Sequence, residues 1–567
     1  MRLQLTLRTS HINLLLLLLC LYFTPAKAQT LVYLERADNL LFDQNILPDA
    51  RIVIGNVVFR HDDALMYCDS ANFYEASNSL DAFGNVKMVQ GDTLTGYGDK
   101  LYYNGNTKLA RLRQNVRLIH HEAVLTTDSL NYDRLQDIAY YYSGGKIVDD
   151  LNTLTSRWGQ YTPYNKHAAF RDSVHLVNNR FTMDTDTLLY DTESHVTKLV
   201  SPTVILYEKE TTILSSNGLY NTRTEESKLF DRSQVIHSDG KFLTGDTIYY
   251  DKRQTFGKLY GSIEVVDTTQ QVTLRGDYGE IYEDGSTASR HPEWGSHGFA
   301  TRNALLEHWG DSLHTYMHAD TLFTEQLAIS DTLPKDSTYQ RVRAHHNVRI
   351  YRDDMQGVCD SAVYLGNDSI GKMYGNPICW NENNQVSADS MYVYFRNDEI
   401  DYAHGMGSAI CVQQHDLIHY NQMSGKEIIA HVQDGDVHLI DINGNAETVF
   451  FPVDEKDHSL SGCNRTQSSF VKVYMEKRKV DHVLFTTATT GTMYPMDQVS
   501  DAVMHLGAFF WAEDERPRVP ADVLLKVAPT ERPSKQKLSA STNEEEDKKA
   551  PTGNMDKPKK LNNKLTR

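Results

Sequence analysis

Residues 310–313 read Gly-Asp-Ser-Leu, the block that carries the nucleophile in a large class of serine esterases. A nucleophilic Ser312 needs a neighbouring base, an acid to orient that base and donors for an oxyanion. Esterases of this kind set the serine block near the start of the chain and close with an Asp-x-x-His block. No such closing block follows here. Beside "GDSLHTYMHADTLF" from Gly310 stands "GDTLTGYGDKLYY" from Gly91, which aligns Ser312 with Thr93 in a turn leading into a strand.

The other chemistry-bearing residues meet the same test. Asp69, Asp99, Asp128, Asp186, Asp246, Asp320, Asp360 and Asp389 recur in one phrase and suggest a calcium ladder. The glycine-rich nonapeptide of calcium-binding β-rolls is missing, so these aspartates are read as turn formers that bond their own backbone. His120-His121 and His345-His346 are adjacent pairs, whose side chains point to opposite faces of a strand and do not share a metal. Cys68, Cys359, Cys379, Cys411 and Cys463 are too sparse for a disulfide framework and are read as small core residues. "RVRAHHNVRIYR" is the most basic strand of the chain; Arg341, Arg343 and Arg349 on it are candidates for a phosphate-binding rim. No cofactor and no metal are expected.

The elements that hold these residues come from a repeat. "GNVVF" at Gly55, "GNVKM" at Gly84, "QNVRL" at Gln114, "DSVHL" at Asp172, "GSIEV" at Gly261 and "HNVRI" at His346 are copies of one phrase. Its branched residue recurs at Val57, Val86, Val116, Ile147, Val174, Val204, Val235 and Ile263, at intervals of 27 to 31 residues. The aspartate phrase alternates with it, as in "GDKLYY" and "TDSLNY". Both phrases are apolar at every second position and rich in Val, Ile, Tyr and Thr, the pattern of half-buried strands. Repeats of about 29–30 residues with two strands each must stack, because a lone strand pair buries too little to be stable. The chain is therefore expected to be all-β, with one apolar stripe facing inward. Val86, Met88, Leu101, Tyr103, Val116, Leu118, Leu130, Tyr132, Val174, Leu176, Leu188, Tyr190, Ile248 and Tyr250 are the predicted inward, groove-lining residues.

The ends differ from the repeat. Arg2 and Arg8, an apolar run Leu14–Phe23 and the small-residue pattern Ala26-Lys27-Ala28 read as a secretory signal peptide over 1–28. Residues 529–567 are Pro, Ser, Lys and Glu with few apolar side chains, so a disordered tail is expected. Between them lie a repeat region 29–283, an irregular stretch with longer loops 284–340, a second repeat region 341–500 and short terminal elements 501–528. The net charge is -18, and without the signal peptide's three basic residues and the tail's ten basic and six acidic ones it is -25. Such a surface argues against nucleic acid as a partner.

The order and spacing of "GNVKM" and "GDTLTGYGDKLYY", together with "GNAETVFFPVDE" at Gly444 and "GTMYPMDQ" at Gly491, resemble the OstA-like (organic solvent tolerance-like) proteins over roughly 52–498. Their relatives include the periplasmic bridge protein of lipopolysaccharide transport. The resemblance implies an extended antiparallel β-jellyroll, folded like a taco, that shields lipopolysaccharide or lipid A acyl chains in an apolar groove without catalysis. It implies a periplasmic location, peripheral to the outer membrane, and partners among inner- and outer-membrane transport components, or self-association through open sheet edges. The chain is longer than the small bridge protein and carries the extra tail. Two other readings stand beside it: an exported parallel β-helix polysaccharide lyase or hydrolase, and a structural or adhesion solenoid. Antiparallel strands would exclude the lyase, and a dry, filled interior would favour the solenoid.

Overall fold

The computed structural model describes residues 30–533, except 44, 46, 93, 292, 311–313, 330–337, 398, 455–458 and 477–478. The predicted signal peptide, Ser312, Thr93 and all but the first residues of the predicted tail lie outside the described residues. Two compact units divide at Ser238/Asp239.

The protein is almost entirely antiparallel β. In the N-terminal unit the strands Arg51–His61, Ala64–Tyr74, Ser79–Gln90, Leu94–Asn104, Leu109–His120 and Ala123–Asp133 pair each with the next. In the C-terminal unit Phe256–Asp267, Val272–Tyr282, His297–His308, Thr315–Ala328, Thr338–Arg352 and Met355–Leu365 do the same. Every ladder found among the described residues is antiparallel, which removes the parallel β-helix on which the lyase reading rested.

Each long strand is bent at its middle. The register slips between Ile54 and Val57, Phe83 and Val86, Arg113 and Val116, His345 and Val348, and Asn443 and Ala446. At these points two successive residues take the left-handed backbone: Gly84 (φ 74°) with Asn85 (φ 45°), Gln114 (65°) with Asn115 (52°), His346 (62°) with Asn347 (54°). This is bulge geometry, which sharpens the local bend. It corrects the turn reading of the recurring aspartates. Asp69, Asp99, Asp128, Asp186, Asp320 and Asp360 lie inside strands, at the bend, while Asp246 and Asp389 lie where a strand is broken in two. Their carboxylates accept from the bend of the next long strand: Asn85 Nδ2 to Asp69 at 2.8 Å, Asn115 to Asp99 at 2.7 Å, Asn347 to Asp320 at 2.9 Å. Asn303 donates to Asp277, and Asn56 to Asp38, in the same way. Stacked bends fold the sheet along a line, so apolar residues on either side of one bend, such as Leu80 with Ala82 and Val86 with Met88, share one core.

Where copies of the repeat are weak the strands break at the bend. Val196–Leu199 is followed by Thr203–Tyr207, Thr211–Ser215 by Gly218–Asn221, and Glu226–Phe230 by Gln234–His237. Buried hydroxyls pair where the backbone departs from the ladder: Thr185 with Ser201 at 2.8 Å, Thr203 with Thr185 at 2.9 Å, and Ser233 with Ser215 at 2.8 Å.

A strap of irregular chain, Pro495 to Arg532, lies on the outer face of the C-terminal unit. Gln422 is fully buried there, donating to the Met504 carbonyl (2.7 Å) and accepting from the Leu506 N–H (2.8 Å). Gln385 grips Phe510 and Ala512 in the same two-point manner (2.9 and 2.8 Å). Gln356 accepts from Arg516, and Arg349 donates to the Asp522 carbonyl. Beneath the strap Val358, Ile378 and Trp380 meet Ala512, and Val449, Phe451 and Cys463 meet Leu506.

Candidate functional site

The site follows from which side chains the alternation sends inward and how large they are. Counting from the bend aspartate, the second and fourth following residues face the interior. In the early copies the fourth is Phe73, Tyr103, Tyr132, Tyr190 and Tyr250; in the later ones it is Ile281, Thr324, Tyr364 and Val393. Large rings fill the first group's interior. Leu101, Tyr103, Leu130 and Tyr132 join Val86, Met88, Val116 and Leu118 in one dry cluster in which none is more than 5% exposed.

Among the predicted groove residues, Val174, Leu176, Leu188, Ile248 and Tyr250 are likewise buried, and Tyr190 is half-buried. None of the fourteen lines either of the two cavities described next.

Two cavities lie in the C-terminal unit. A cavity of about 630 Å³ lies between the two rows of strand ends, walled by Val272, Leu306, Met317, Ile350, Met373 and Val393. Gln271, His308 and Thr315 come to it from one row; Gln326, Gln340 and Asn367 come from the other. Its described lining carries no Asp or Glu. Arg352, held by Asp354 at 2.6 and 2.7 Å, sits over the Phe395 ring at 5.6 Å and bridges the two rows. A second space of about 250 Å³ is walled by Met423, Val449, Val473, Val483 and Phe485.

Sequence reasoning missed these cavity residues because it followed the strongest copies of the phrase. The usable signal was the loss of the inward aromatic after Asp389, where Val393 lines the larger cavity.

Three of the buried thiols are held protonated by burial. Cys379, whose sulfur is 3.6 Å from that of Met373, has its thiol pushed up to about 12 by burial, and Cys68 and Cys411 likewise. Such thiols are protonated and unreactive at neutral pH. His120 and His121 have ring centroids 4.4 Å apart, because His121 adopts φ 52° in a turn; this replaces the opposite-face expectation. Among the described residues no group of three His, Cys, Asp or Glu could hold a metal.

Strand parity places the three arginines away from the cavity. Val342, Ala344, Val348 and Ile350 face inward, so Arg341, Arg343 and Arg349 lie on the outer face. Arg341 and Arg343 both bond Glu325, which is 2% exposed, and both guanidinium groups stack on Trp294 at about 5.5 Å. Arg349 is buried under the strap, and burial lowers its pKa.

No described helix is long and apolar enough to cross a membrane. Compared with known families, residues 29–186 match the model described as OstA-like protein. No curated protein matches the chain.

Proposed function

Taking residues 29–186 as an OstA-like region, we propose that the protein is a non-catalytic lipid carrier of the periplasm. In this reading it shields lipopolysaccharide or lipid A acyl chains during transport to the outer membrane. The observation that carries the reading is the cavity of about 630 Å³, apolar at its wall and amide-rich at its two rims, inside an antiparallel β unit. Burial of an acyl chain there contributes about 0.8 kcal/mol per CH₂. A carboxylate-free lining suits an amphiphile whose head is anionic or rich in hydroxyls, even though the chain as a whole carries a net charge of -18.

The filled interior of the N-terminal unit supports a second role, that of a structural stem. Inner- and outer-membrane transport components, or further copies of the chain, would then meet its open sheet edges.

The test is purification of the protein from its native compartment under mild conditions, followed by mass spectrometry of bound lipid. Lipid A or lipopolysaccharide at near one per chain is expected. A lipid-free protein that also takes up no added lipopolysaccharide overturns the carrier and leaves the structural reading.

A further inference from the structure

In the N-terminal unit the two rows of turns meet instead of parting. Turns after His61 and Gln90 belong to one row; turns after Asn104 and Asp133 belong to the other. Arg134 crosses between them. Its guanidinium donates to Asp63 (2.8 Å), to the His61 carbonyl (3.3 Å), to the Tyr103 hydroxyl (2.7 Å) and to Gln90. Gln90 in turn donates to Asp63 at 2.6 Å. Beside it Lys108 reaches Asp62 at 2.6 Å, and the Tyr103 hydroxyl meets His61 Nδ1 at 2.6 Å. Behind this polar seam lies the dry core of Leu101, Leu130 and Tyr132. At the corresponding place in the C-terminal unit the rows are apart, the cavity lies between them, and Arg352 over Phe395 bridges them.

We propose that Arg134 and Lys108, with Asp62, Asp63 and Gln90, form a latch whose release parts the two arms of the N-terminal unit and admits an acyl chain along its apolar interior. The proposal rests on the carrier reading. Three features support it. The bonds of Arg134 to Gln90, Asp63 and the His61 carbonyl and of Lys108 to Asp62 join residues 44 to 73 positions apart on opposite tips, so they do not hold the turns themselves. The seam faces solvent, since Asp63 is 60% exposed, whereas Arg134 is only 3% exposed and closes it from within. The bends, with two left-handed residues on every second strand, are the natural hinge line of the arms.

The test places nitroxide labels at Asp92 and Leu135, on opposite tips and outside the latch, and reads their distance in the full chain. Wild type should give one narrow short distance. Arg134→Met with Lys108→Met should shift and broaden it, and the milder Asp63→Asn with Lys108→Gln guards against misfolding of the first variant. A photoreactive diazirine palmitate is then added. Labelling of Leu101 and Leu130 in the unlatched variants, at least tenfold above wild type, is the expected result. An unchanged distance in both variants overturns the latch, and a wider distance without core labelling overturns its role in admitting cargo. Labelling of Met317 and Met373 in the same samples reports the C-terminal cavity separately, so failure of the carrier reading is distinguishable.

Discussion

Asn85 and Asn115 hold a left-handed backbone that L-residues adopt at a cost, and each donates an amide hydrogen bond to the aspartate of the preceding strand. Gly84 precedes Asn85 at φ 74°, and a Cβ built on it would lie 2.5 Å from Asp69 Oδ2. Gly84→Ala therefore combines backbone strain with a clash and should cost about 2 kcal/mol of local stability. Faster amide exchange across Ala64–Tyr74 and Ser79–Gln90 would report it. Asn115→Ala loses the hydrogen bond as well as a residue type tolerant of positive φ, for about 1 kcal/mol. The titratable residues of the latch give a pH prediction. Burial lowers the pKa of His61, which faces Tyr103, Asp62, Arg134 and Lys108, so the folded ring takes a proton less readily than the unfolded one. The unfolded ring takes a proton below about pH 6.5, so stability is complete above that pH and falls as pH drops below it. Asp62 runs on a different window: Lys108 lowers its pKa, so its contribution persists down to the carboxylate range and is lost only below it. The thermal midpoint should fall between pH 7 and 5 in wild type, and the slope should shrink in His61→Gln.

At the level of elements, the two-strand repeat and its inward stripe were legible because period-two alternation survives in nearly every copy. The bends were not legible. Gly-Asn and Asp are the same residues that make turns between strands, and the left-handed backbone they favour serves both uses. Only pairing partners on both sides of the bend show that the strand continues through it. The strap was hidden for a related reason. Gln356, Gln385 and Gln422 stand at outward positions, where a polar residue reads as solvated, yet all three are buried under Pro495–Arg532. Removing such a clamp leaves buried backbone groups without partners. Gln385→Ala should strand the Phe510 carbonyl and the Ala512 N–H at a cost of about 2–3 kcal/mol. The expected outcome is protease cleavage within 505–518 under conditions where wild type is intact, with strand protection at Ile378–Asn381 reduced less.

At the level of the whole molecule, one repeat produces a packed cluster in one unit and a cavity in the other. Tyr103 and Tyr132 fill the N-terminal cluster, while Val393, at the same place in its copy, lines the C-terminal cavity. Periodicity indicates where the inward stripe runs, but whether the stripe encloses a solid core or a cavity depends on summed side-chain volume, which the alternation does not encode. The alternation did place thirteen of the fourteen predicted groove residues in buried positions, with Tyr190 half-buried. The same position offers the direct test of the carrier. Val393→Tyr gives a later copy the residue the early copies use, adding aromatic bulk at the cavity. Overpacking is avoided because the ring enters open space, so the thermal midpoint should hold or rise. If an acyl chain occupies that space, displacing about two of its methylenes weakens binding by about 1.6 kcal/mol, or roughly tenfold. A folded Val393→Tyr variant that binds a fluorescent lipid A with wild-type affinity would place the lipid elsewhere. A variant with filled cavity and lost binding would locate the cargo between Val272 and Phe395, at the cavity walled by Met317, Met373 and Val393.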